Sequence, residues 1–404
     1  MIETTIETPV AMQPKVERTE GGAWIGHITM QSGAGLQEEL PARYLKMSAD
    51  EIALNIARAR ERLGSRCVIL GHHYQRDEVI RWADFIGDSF KLCRDAEARP
   101  EAEYLIFCGV HFMAEAADIL SGPHQKVILP DLHAGCSMAD MADIDQVEEA
   151  WESLQEACVG QTIIPITYMN SAANLKAFVG RNGGAVCTSS NAKKIMDWAL
   201  SPVAEGGAGG DKLLFFPDQH LGRNTAVLEM GFTLDQCIVW DPNKEMGGQS
   251  EAALREAPIL LWKGHCSVHG TFWPVHINNA RQMYPGVQIV VHPECMHEVV
   301  VKADAYGSTE KIKQIVRDAP SGATIAIGTE INLVSRLAQE NPDKTILSLN
   351  PNVCVCSTMY RVDGPHVLWV LENLLEGRVV NQIVVPEPMA SEARLSLQRM
   401  LDIA

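Results

Sequence analysis

An internal repeat limits the architectures that this chain can adopt. A unit of four parts occurs three times in the same order, and such a repeat indicates similar structural units that pack against one another. The first part is an apolar run that ends in aromatic, imidazole or other polar groups: "VILGHHYQ", "IIPITYMN" and "QIVVHPEC". The second part ends in small hydroxyl residues before a helical stretch: "ADFIGDSFKL", "GAVCTSSNAKKI" and "ADAYGSTEKI".

The third and fourth parts continue the alternation of apolar runs and helical stretches. The third part reads "EYLIFCGVHFMAEAADIL", "KLLFFPDQHLGRNTAVL" and "ATIAIGTEINLVSRLAQ", and the fourth reads "VILPDLHAGCSMAD", "PILLWKGHCSVHG" and "TILSLNPNVCVCSTMY". Strand-like runs that alternate with helices are typical of parallel sheets covered by helices. The repeat therefore predicts an α/β protein with three similar αβα-sandwich domains, short parallel sheets, a pseudo-threefold axis and an active site at the centre.

The repeats divide the chain into five predicted segments. These are an N-terminal extension (1–48), three repeat domains (49–143, 144–272 and 273–362) and a C-terminal helical segment that packs on the core (363–404). We expect Ser48 to cap the first helix and Gly64 to end it. The stretches "LSPVAEGGAGGDK" and "DPNKEMGGQSEAALREAP" are rich in glycine or charge and predict surface loops.

Three cysteines occupy one equivalent position in the repeats. The fourth part aligns "CSM", "CSV" and "CST", which places Cys136, Cys266 and Cys356 together, although they are 130 and 90 residues apart in the chain. Functional groups gather beyond the carboxyl ends of parallel strands, so three domains around one axis would bring the three thiols to one point. Three soft thiolates suit zinc or an iron-sulfur cluster, and a cluster with three protein ligands leaves one iron open.

Polar side chains follow the first and second strands of each repeat, and we expect them to face the same cavity as the cysteines. The first-strand ends carry groups suited to proton transfer and carboxylate binding, namely His72, Tyr74, Tyr168, Asn170, His292 and Glu294. The second-strand ends carry Asp88, Ser89, Ser189, Ser190, Ser308 and Thr309. Each of the second group precedes a helix, so its members are ordinary N-caps, anion-binding groups, or both. His220 and Arg223 lie near the third strand of the second repeat, and Arg223 has two alternative roles, an anion clamp or a surface salt bridge.

Composition excludes several classes of function. The net charge is -17, from 51 acidic and 34 basic residues, whereas a nucleic-acid or anionic membrane surface needs a concentrated basic face. No apolar run approaches the roughly 18 residues that a membrane span needs, and the acidic start "MIETTIETPV" is unlike a signal peptide. We therefore expect a cytoplasmic protein with small-molecule partners, no nucleic acid and no membrane. The odd count of 11 cysteines suggests free thiols or a metal site in a reducing compartment.

The motifs, taken together and in order, resemble the quinolinate synthase family. They are "GHHYQ", "GDSF", "FCGVHFMAEAADIL", "AGCSMAD", "TYMNSAA", "CTSSNA", "PDQHLGRN", "GHCSVH", "HPEC", "YGSTEKI" and "CSTM", and they cover roughly residues 49 to 404. The resemblance implies three α/β domains around a pseudo-threefold axis and a 4Fe-4S cluster held by Cys136, Cys266 and Cys356. The reaction it implies condenses iminoaspartate with dihydroxyacetone phosphate to quinolinate, phosphate and water in de novo NAD biosynthesis.

The resemblance also implies roles for individual residues. By this resemblance, His72, Tyr74 and Glu294 transfer protons, and Tyr168 is a further catalytic residue that also binds substrate. The expected substrate-binding residues are His72, Asp88, Ser89, Tyr168, Asn170, Ser189, His292, Glu294, Ser308 and Thr309. An open iron would act as a Lewis acid in dehydration, and an L-aspartate oxidase would supply the unstable iminoaspartate. Cys354 has no counterpart in the other repeats and is interpreted as a small packed residue, with a regulatory disulfide as the alternative.

Three other functions use parts of the same pattern. An electron carrier would use the cluster alone, but such carriers usually bind every iron through the protein, which disfavours this function here. A zinc-dependent lyase or hydrolase would use the same thiols. A metal-free binding module of the periplasmic type is disfavoured by the aligned cysteines and by the absence of a signal sequence.

Overall fold

The structure, a computed structural model, describes residues 17–18, 24–25, 37–352 and 355–403. Ahead of the first repeat, the two-residue strands β1 (Glu17–Arg18) and β2 (Trp24–Ile25) pair antiparallel. Cys354 and most of the predicted N-terminal extension lie outside the described residues, so the interpretation of Cys354 stays a prediction.

The first long helix begins and ends where the sequence predicts. After the short helix α1 (Ala42–Leu45), helix α2 spans Ala49–Leu63. The Ser48 side chain accepts the backbone N–H of Glu51, and the Glu51 carboxylate accepts the backbone N–H of Ser48, which satisfies two otherwise unpaired donors at the helix start. Gly64 ends the helix with a φ of 57°, a conformation that favours glycine.

The first repeat forms a parallel sheet flanked by helices. Its elements are β3 (Cys67–His72), α3 (Asp77–Ile80), β4 (Phe85–Gly87), α4 (Ser89–Glu97), β5 (Tyr104–Cys108), α5 (His111–Leu120) and β6 (Lys126–Ile128). The strand order is β4-β3-β5-β6, and these three pairings are parallel. Every residue of β3 and β5 is buried, as expected for strands covered on both faces.

The second repeat has the same order with an additional edge strand. Its elements are α6 (Ile144–Ala157), β7 (Ile163–Tyr168), α7 (Ala173–Arg181), β8 (Ala185–Cys187), α8 (Ala192–Leu200), β9 (Lys212–Phe216), α9 (Gln219–Asn224), β10 (Cys237–Trp240), α10 (Glu251–Glu256) and β11 (Ile259–Trp262). The strand order is β8-β7-β9-β11-β10. Helix α10 lies inside a stretch that the sequence predicted as a surface loop, so that expectation was wrong for residues 251–256. The helix forms because Ser250 caps it and Leu254 is buried beneath it.

The third repeat completes the pattern. Its elements are α11 (Pro274–Met283), β12 (Gln288–Val291), α12 (His297–Val300), β13 (Ala305–Tyr306), α13 (Thr309–Asp318), β14 (Thr324–Gly328), α14 (Ile331–Glu340) and β15 (Thr345–Ser348). The strand order is β13-β12-β14-β15. In all three repeats the first strand therefore lies between the second and the third, and the fourth follows the third. This confirms the predicted α/β fold class with three similar parallel sheets.

The C-terminal segment joins the repeats. It consists of α15 (Gly364–Leu375), β16 (Gln382–Ile383) and α16 (Glu387–Ile403). Helix α15 packs on α2, β16 pairs antiparallel with the edge strand β6 of the first sheet, and α16 packs along α7 of the second repeat. The segment thus contains a short strand as well as the helices that the sequence predicts. The segment boundaries themselves stay a prediction.

Candidate active site

The carboxyl ends of the three sheets surround one cavity. The empty space in and above it, open solvent included, is about 700 Å³, and residues from all three repeats line it. The residues that the sequence selected and that line this cavity are His72, Tyr74, Asp88, Ser89, Cys136, Tyr168, Asn170, Ser189, Cys266, His292, Glu294, Thr309 and Cys356. Of the residues selected at the first- and second-strand ends, Ser190 and Ser308 are not among the lining residues. The apolar part of the wall is formed by Val110, Phe112, Met113, Met138, Met169, Val268 and Met359.

The three cysteines occupy the same local turn. Each begins a turn that leads into a short 3₁₀ helix, namely Ala139–Met141, His269–Thr271 and Met359–Arg361. In each turn the backbone carbonyl of the cysteine accepts the N–H four residues later, at distances of 3.1, 2.9 and 2.9 Å. The cysteine alignment found in the sequence is therefore also an equivalence of backbone structure.

Backbone donors point at each of the three sulfur atoms. Cys136 accepts from the N–H of Ala139, Cys266 from that of His269, and Cys356 from that of Met359. In every case the donor lies three residues after the cysteine. Hydrogen bonds to the sulfurs stabilise thiolate ligands and tune iron-sulfur centres.

The chemistry of this donor set fits a metal or iron-sulfur cofactor. Burial raises the pKa of Cys136 to about 12, and it also raises the pKa values of Cys266 and Cys356. Without a cation these thiols are neutral at pH 7, whereas a bound metal deprotonates a coordinating thiol. The three sulfurs are close enough for their charges to interact, and the soft ligands favour iron-sulfur or zinc binding.

Glu294 connects the second and third repeats inside the cavity. The hydroxyl of Tyr168 donates to its Oε1 at 2.5 Å, and Nδ1 of His269 lies 2.9 Å from its Oε2. All three side chains are buried. Burial by itself would raise the pKa of Glu294, but the neighbouring His269 and His292 and the hydrogen bonds to the carboxylate lower it to about 2. Glu294 is therefore an anion at neutral pH.

Two buried histidines share one local arrangement. In His72 the Nδ1 atom accepts the backbone N–H of Tyr74 at 3.2 Å, and in His292 the Nδ1 atom accepts the backbone N–H of Glu294 at 3.3 Å. These hydrogen bonds assign the remaining ring proton to Nε2 in each case. Burial lowers the pKa of both imidazoles to about 3, with further contributions from neighbouring histidines. Both are therefore neutral hydrogen-bond donors at pH 7.

Tyr74 connects the first repeat to the third. Its hydroxyl lies 3.0 Å from Oγ1 of Thr329 and 3.2 Å from Oγ1 of Thr309. Nε2 of His269 also contacts the Thr329 hydroxyl, at 3.1 Å. Burial raises the pKa of Tyr74 well above its ordinary value, so the phenol keeps its proton. Tyr74, Thr329 and His269 thus form a continuous polar path to Glu294.

The residues at the second-strand ends divide between capping and lining the cavity. Asp88 caps α4 and also accepts from the Ser190 hydroxyl at 3.3 Å, while Ser308 caps α13. Helix α8 instead begins after Asn191, which makes no side-chain cap, so Ser189 and Ser190 are not N-caps. Ser189 lines the cavity.

His269 is the site residue that sequence reasoning missed. Its ring stacks on that of His292 with centroids 4.4 Å apart, and it lies within the cavity wall. The repeat did not select it because the equivalent positions hold Ala139 and Met359. The sequence feature that could have identified His269 is its position as the second histidine of "GHCSVHG", three residues after an aligned cysteine. His220 and Arg223, by contrast, are not among the lining residues.

A second set of donor atoms overlaps the thiol site. Cys266, His269 and Glu294 each place one donor atom within 4.8 Å of the other two. Such a mixed sulfur, nitrogen and oxygen set is also compatible with zinc. Glu294 and His269 are, however, already hydrogen-bonded to each other and to Tyr168 and Thr329.

The helices give no sign of a membrane span. None that the structure describes combines the length and the hydropathy that a bilayer crossing requires.

Comparison with known proteins gives matches over most of the chain. The family model of the quinolinate synthetase A protein matches residues 55–402. A quinolinate synthase from a Nocardioides species is 56% identical over 376 residues, which cover 93% of this chain and 94% of the relative. The quinolinate synthases of Streptomyces coelicolor and Acidobacterium capsulatum are 53% and 55% identical, covering 90% and 89% of this chain and 91% and 95% of their own lengths.

Proposed function

Because the chain belongs to the quinolinate synthetase A family, we propose that it condenses iminoaspartate with dihydroxyacetone phosphate to form quinolinate, phosphate and water in de novo NAD biosynthesis. It would thus be a condensing and dehydrating transferase. The observation that carries the proposal is the convergence of three equivalent cysteine turns on one cavity that also holds the buried Tyr168, Glu294 and His269.

The cofactor in this proposal is a 4Fe-4S cluster. Cys136, Cys266 and Cys356 would hold it, each with a backbone N–H directed at its sulfur. When bound, a cluster with three protein ligands supplies an open iron that acts as a Lewis acid toward a substrate oxygen and so favours dehydration. The apolar wall of Met138, Val268 and Met359 would shield the site from bulk water.

Anionic substrate groups would be held without a basic patch. Helices α4 and α13 begin at the cavity, where Ser89 and Thr309 line the wall. A helix N-terminus offers free backbone N–H groups and the positive end of its dipole, which suits phosphate and carboxylate. Asn170 and Ser189 from the second repeat would add side-chain donors. This explains how a chain with a net charge of -17 can bind anionic metabolites.

Proton transfer would be carried out by the polar side chains of the wall. Glu294 is anionic and receives a short hydrogen bond from Tyr168, so this carboxylate can accept a proton during condensation. The Nε2–H groups of the neutral His72 and His292 can donate hydrogen bonds to substrate oxygens. Tyr74 keeps its proton at neutral pH and can donate it to a strongly basic substrate oxygen, and the Thr329 hydroxyl, in contact with His269, can replace it.

The supply of substrate completes the proposal. Iminoaspartate is unstable in water, so an enzyme that oxidises aspartate must act immediately before this one. We infer that an L-aspartate oxidase is that partner.

An anaerobic assay tests the function. Purified protein, iminoaspartate and dihydroxyacetone phosphate should yield quinolinate, and the protein should contain about four irons and four sulfides per chain. Active, colourless protein that contains zinc would support the Cys266, His269 and Glu294 set instead. A brown protein that transfers electrons but forms no quinolinate would support an electron carrier.

A further inference from the structure

Lys176 in helix α7 is completely buried, although it belongs to a residue type that is almost never buried without a partner. Burial lowers its pKa to about 8, and the charge of Glu115 opposes that shift. Its Nζ also lies 5.5 Å from the ring centroid of Phe112, whose face attracts a cation. Glu115 belongs to the motif "FCGVHFMAEAADIL", and the proposed chemistry uses neither Glu115 nor Lys176.

The Lys176 ammonium holds the loop that carries the candidate substrate residues. It donates a hydrogen bond to the backbone carbonyl of Ser171. The Ser171 hydroxyl in turn donates to the backbone carbonyl of Tyr168 at 2.8 Å, and the Thr167 hydroxyl donates to Ser171 Oγ at 2.8 Å. Lys176 therefore fixes the loop from residue 168 to residue 171 through its backbone.

Glu115 holds the other end of the same loop from the first repeat. Its Oε2 accepts the backbone N–H of Ala173 at 3.0 Å in a buried environment. Its Oε1 lies 3.6 Å from Nδ1 of His111. Glu115 belongs to α5, whose Phe112 and Met113 line the cavity. The contact thus joins the cavity wall of one repeat to the substrate loop of the next.

We propose that Lys176 and Glu115 are positioning residues, which fix the loop 168–173 so that Tyr168 and Asn170 face the substrate. The inference rests on the proposed function, because it assumes that this cavity binds quinolinate and its precursors. Both residues contact the loop through its backbone, Lys176 at the Ser171 carbonyl and Glu115 at the Ala173 N–H.

A purely structural role would have a different consequence. Removing one buried charged group and leaving its surroundings unchanged usually lowers the free energy of unfolding. If Lys176 and Glu115 served stability alone, replacing either by Met would lower that free energy but leave the quinolinate affinity of the folded protein unchanged. A loss of affinity in a folded variant is therefore specific to positioning.

Quinolinate binding to the anaerobic holoprotein provides the test. We expect Lys176→Met and Glu115→Met each to weaken quinolinate binding about 10- to 100-fold, since small misplacements of binding groups cost affinity and rate. Iron content and the visible spectrum should stay at the wild-type level. The conservative variant Glu115→Gln should keep its affinity, because its amide oxygen can still accept the Ala173 N–H.

Lys212→Met is the matched control. Lys212 is also a buried lysine, and its Nζ donates to the carbonyls of Leu254, Arg255 and Ala257, away from the cavity. This variant should keep quinolinate affinity even if its melting temperature falls.

Four outcomes would overturn the inference. Wild-type affinity in Lys176→Met and Glu115→Met would overturn it alone and leave the proposed function intact. Equal losses in Lys212→Met, or loss of iron in both loop variants, would assign the two residues a general structural role. If Lys176→Met fails to fold, the quinolinate affinities of Glu115→Met and Glu115→Gln decide: a loss in the first variant alone supports positioning, and equal affinities contradict it. A wild-type protein that neither binds nor forms quinolinate would overturn the proposed function and this inference with it.

Discussion

Among single residues, Glu294 has the most connected position in the cavity. It accepts from Tyr168, pairs with His269, and lies 3.7 Å from Nδ1 of His292. Its carboxylate is ionised at neutral pH and can therefore accept a proton, although a pKa lowered to about 2 makes it a weak base. Its charge also fixes the orientation of the three neighbouring side chains.

Removing that charge should abolish most of the activity. We expect Glu294→Gln to lower the rate of quinolinate formation by ~10²- to 10⁴-fold, the usual contribution of a general acid or base. The iron content should stay unchanged, because glutamine has the size of glutamate and its amide oxygen can still accept a hydrogen bond from His269 of the Cys266 turn. Glu298→Gln, an exposed glutamate four residues later, should behave like the wild type. Full activity in Glu294→Gln would remove the carboxylate from the mechanism.

The buried neutral histidines should make the protein sensitive to acid. The pKa values of His72 and His292 are about 3 in the folded state and about 6.5 when unfolded. Between pH 6.5 and pH 3 the unfolded state binds more protons, so the free energy of unfolding should fall as the pH falls, by ~1.4 kcal/mol per pH unit for each histidine. Below pH 4.5 the lowered pKa of Glu294 adds to the same loss.

Urea unfolding of the cluster-free, reduced protein at pH 7, 6, 5 and 4 measures this slope. The variant His292→Asn should show a shallower dependence on pH. A free energy of unfolding that does not change over this range would contradict the assigned protonation states.

At the residue level, the sequence predicted groups that share a position in the repeat and missed one that does not. Tyr168 ends a first strand, and His292 and Glu294 follow one, so their equivalence was visible in the chain. His269 follows an aligned cysteine in one repeat only, and its role depends on stacking against His292 from another repeat. Such contacts between repeats have no periodic signal.

Among the structural elements, the cysteine turns are the most regular. All three have the same 3₁₀ geometry and the same hydrogen bond from the amide three residues after the cysteine. A turn that directs an N–H at its own sulfur is preorganised for a thiolate ligand. The turns direct backbone donors at the three sulfurs, and the apolar side chains of the cavity wall surround them, so both features suit a metal or iron-sulfur cofactor.

Each cysteine turn should be necessary for the cluster. We expect Cys136→Ser, Cys266→Ser and Cys356→Ser each to lose the cluster, measured as iron and sulfide per chain, since a serine oxygen is a harder ligand than a thiolate. Cys158→Ser is the control, because its buried Sγ donates to the Leu254 carbonyl, to which a serine hydroxyl can also donate. A Cys→Ser variant of any of the three that keeps full iron content would contradict the ligand assignment.

At the level of elements, the sequence could not predict what lies outside the repeat. Strand β10 and helix α10 occur between the third and fourth parts of the second unit, and β16 follows the last unit. All three elements are short. Strand β10 pairs with β11, which lies beyond α10 in the chain, and β16 pairs with β6 of the first sheet, so neither pairing can be read from neighbouring residues. Ser48 and Gly64 were predictable because capping depends on neighbouring residues alone.

For the whole molecule, the C-terminal helix α16 ties the repeats together. It packs against α7 of the second repeat, while Arg394 donates to the Ile119 carbonyl in the first. The approach to α7 is so close that a Cβ at Gly180 would lie 1.9 Å from the backbone oxygen of Glu392. Only glycine fits there without displacement of the helix.

Gly180→Ala should therefore destabilise the whole protein. We expect a loss of about 1 to 3 kcal/mol in the free energy of unfolding, the usual cost of overpacking, measured by urea denaturation. Ser391→Ala, on the exposed side of α16, is the control. It removes the hydrogen bond from the Ser391 hydroxyl to the Glu387 carbonyl but adds no atom at the contact with α7, so stability should stay close to that of the wild type. Wild-type stability in Gly180→Ala would show that α16 can move away at little cost.

The central claim for the whole molecule is that three repeats converge on one cluster with an open iron. Mössbauer spectroscopy of anaerobic, ⁵⁷Fe-enriched protein tests this most directly, with and without quinolinate. The predicted result is about four irons per chain, of which one changes its signal when quinolinate binds while the three held by Cys136, Cys266 and Cys356 do not. Four irons that stay equivalent, or a protein that contains zinc and no iron, would contradict the claim.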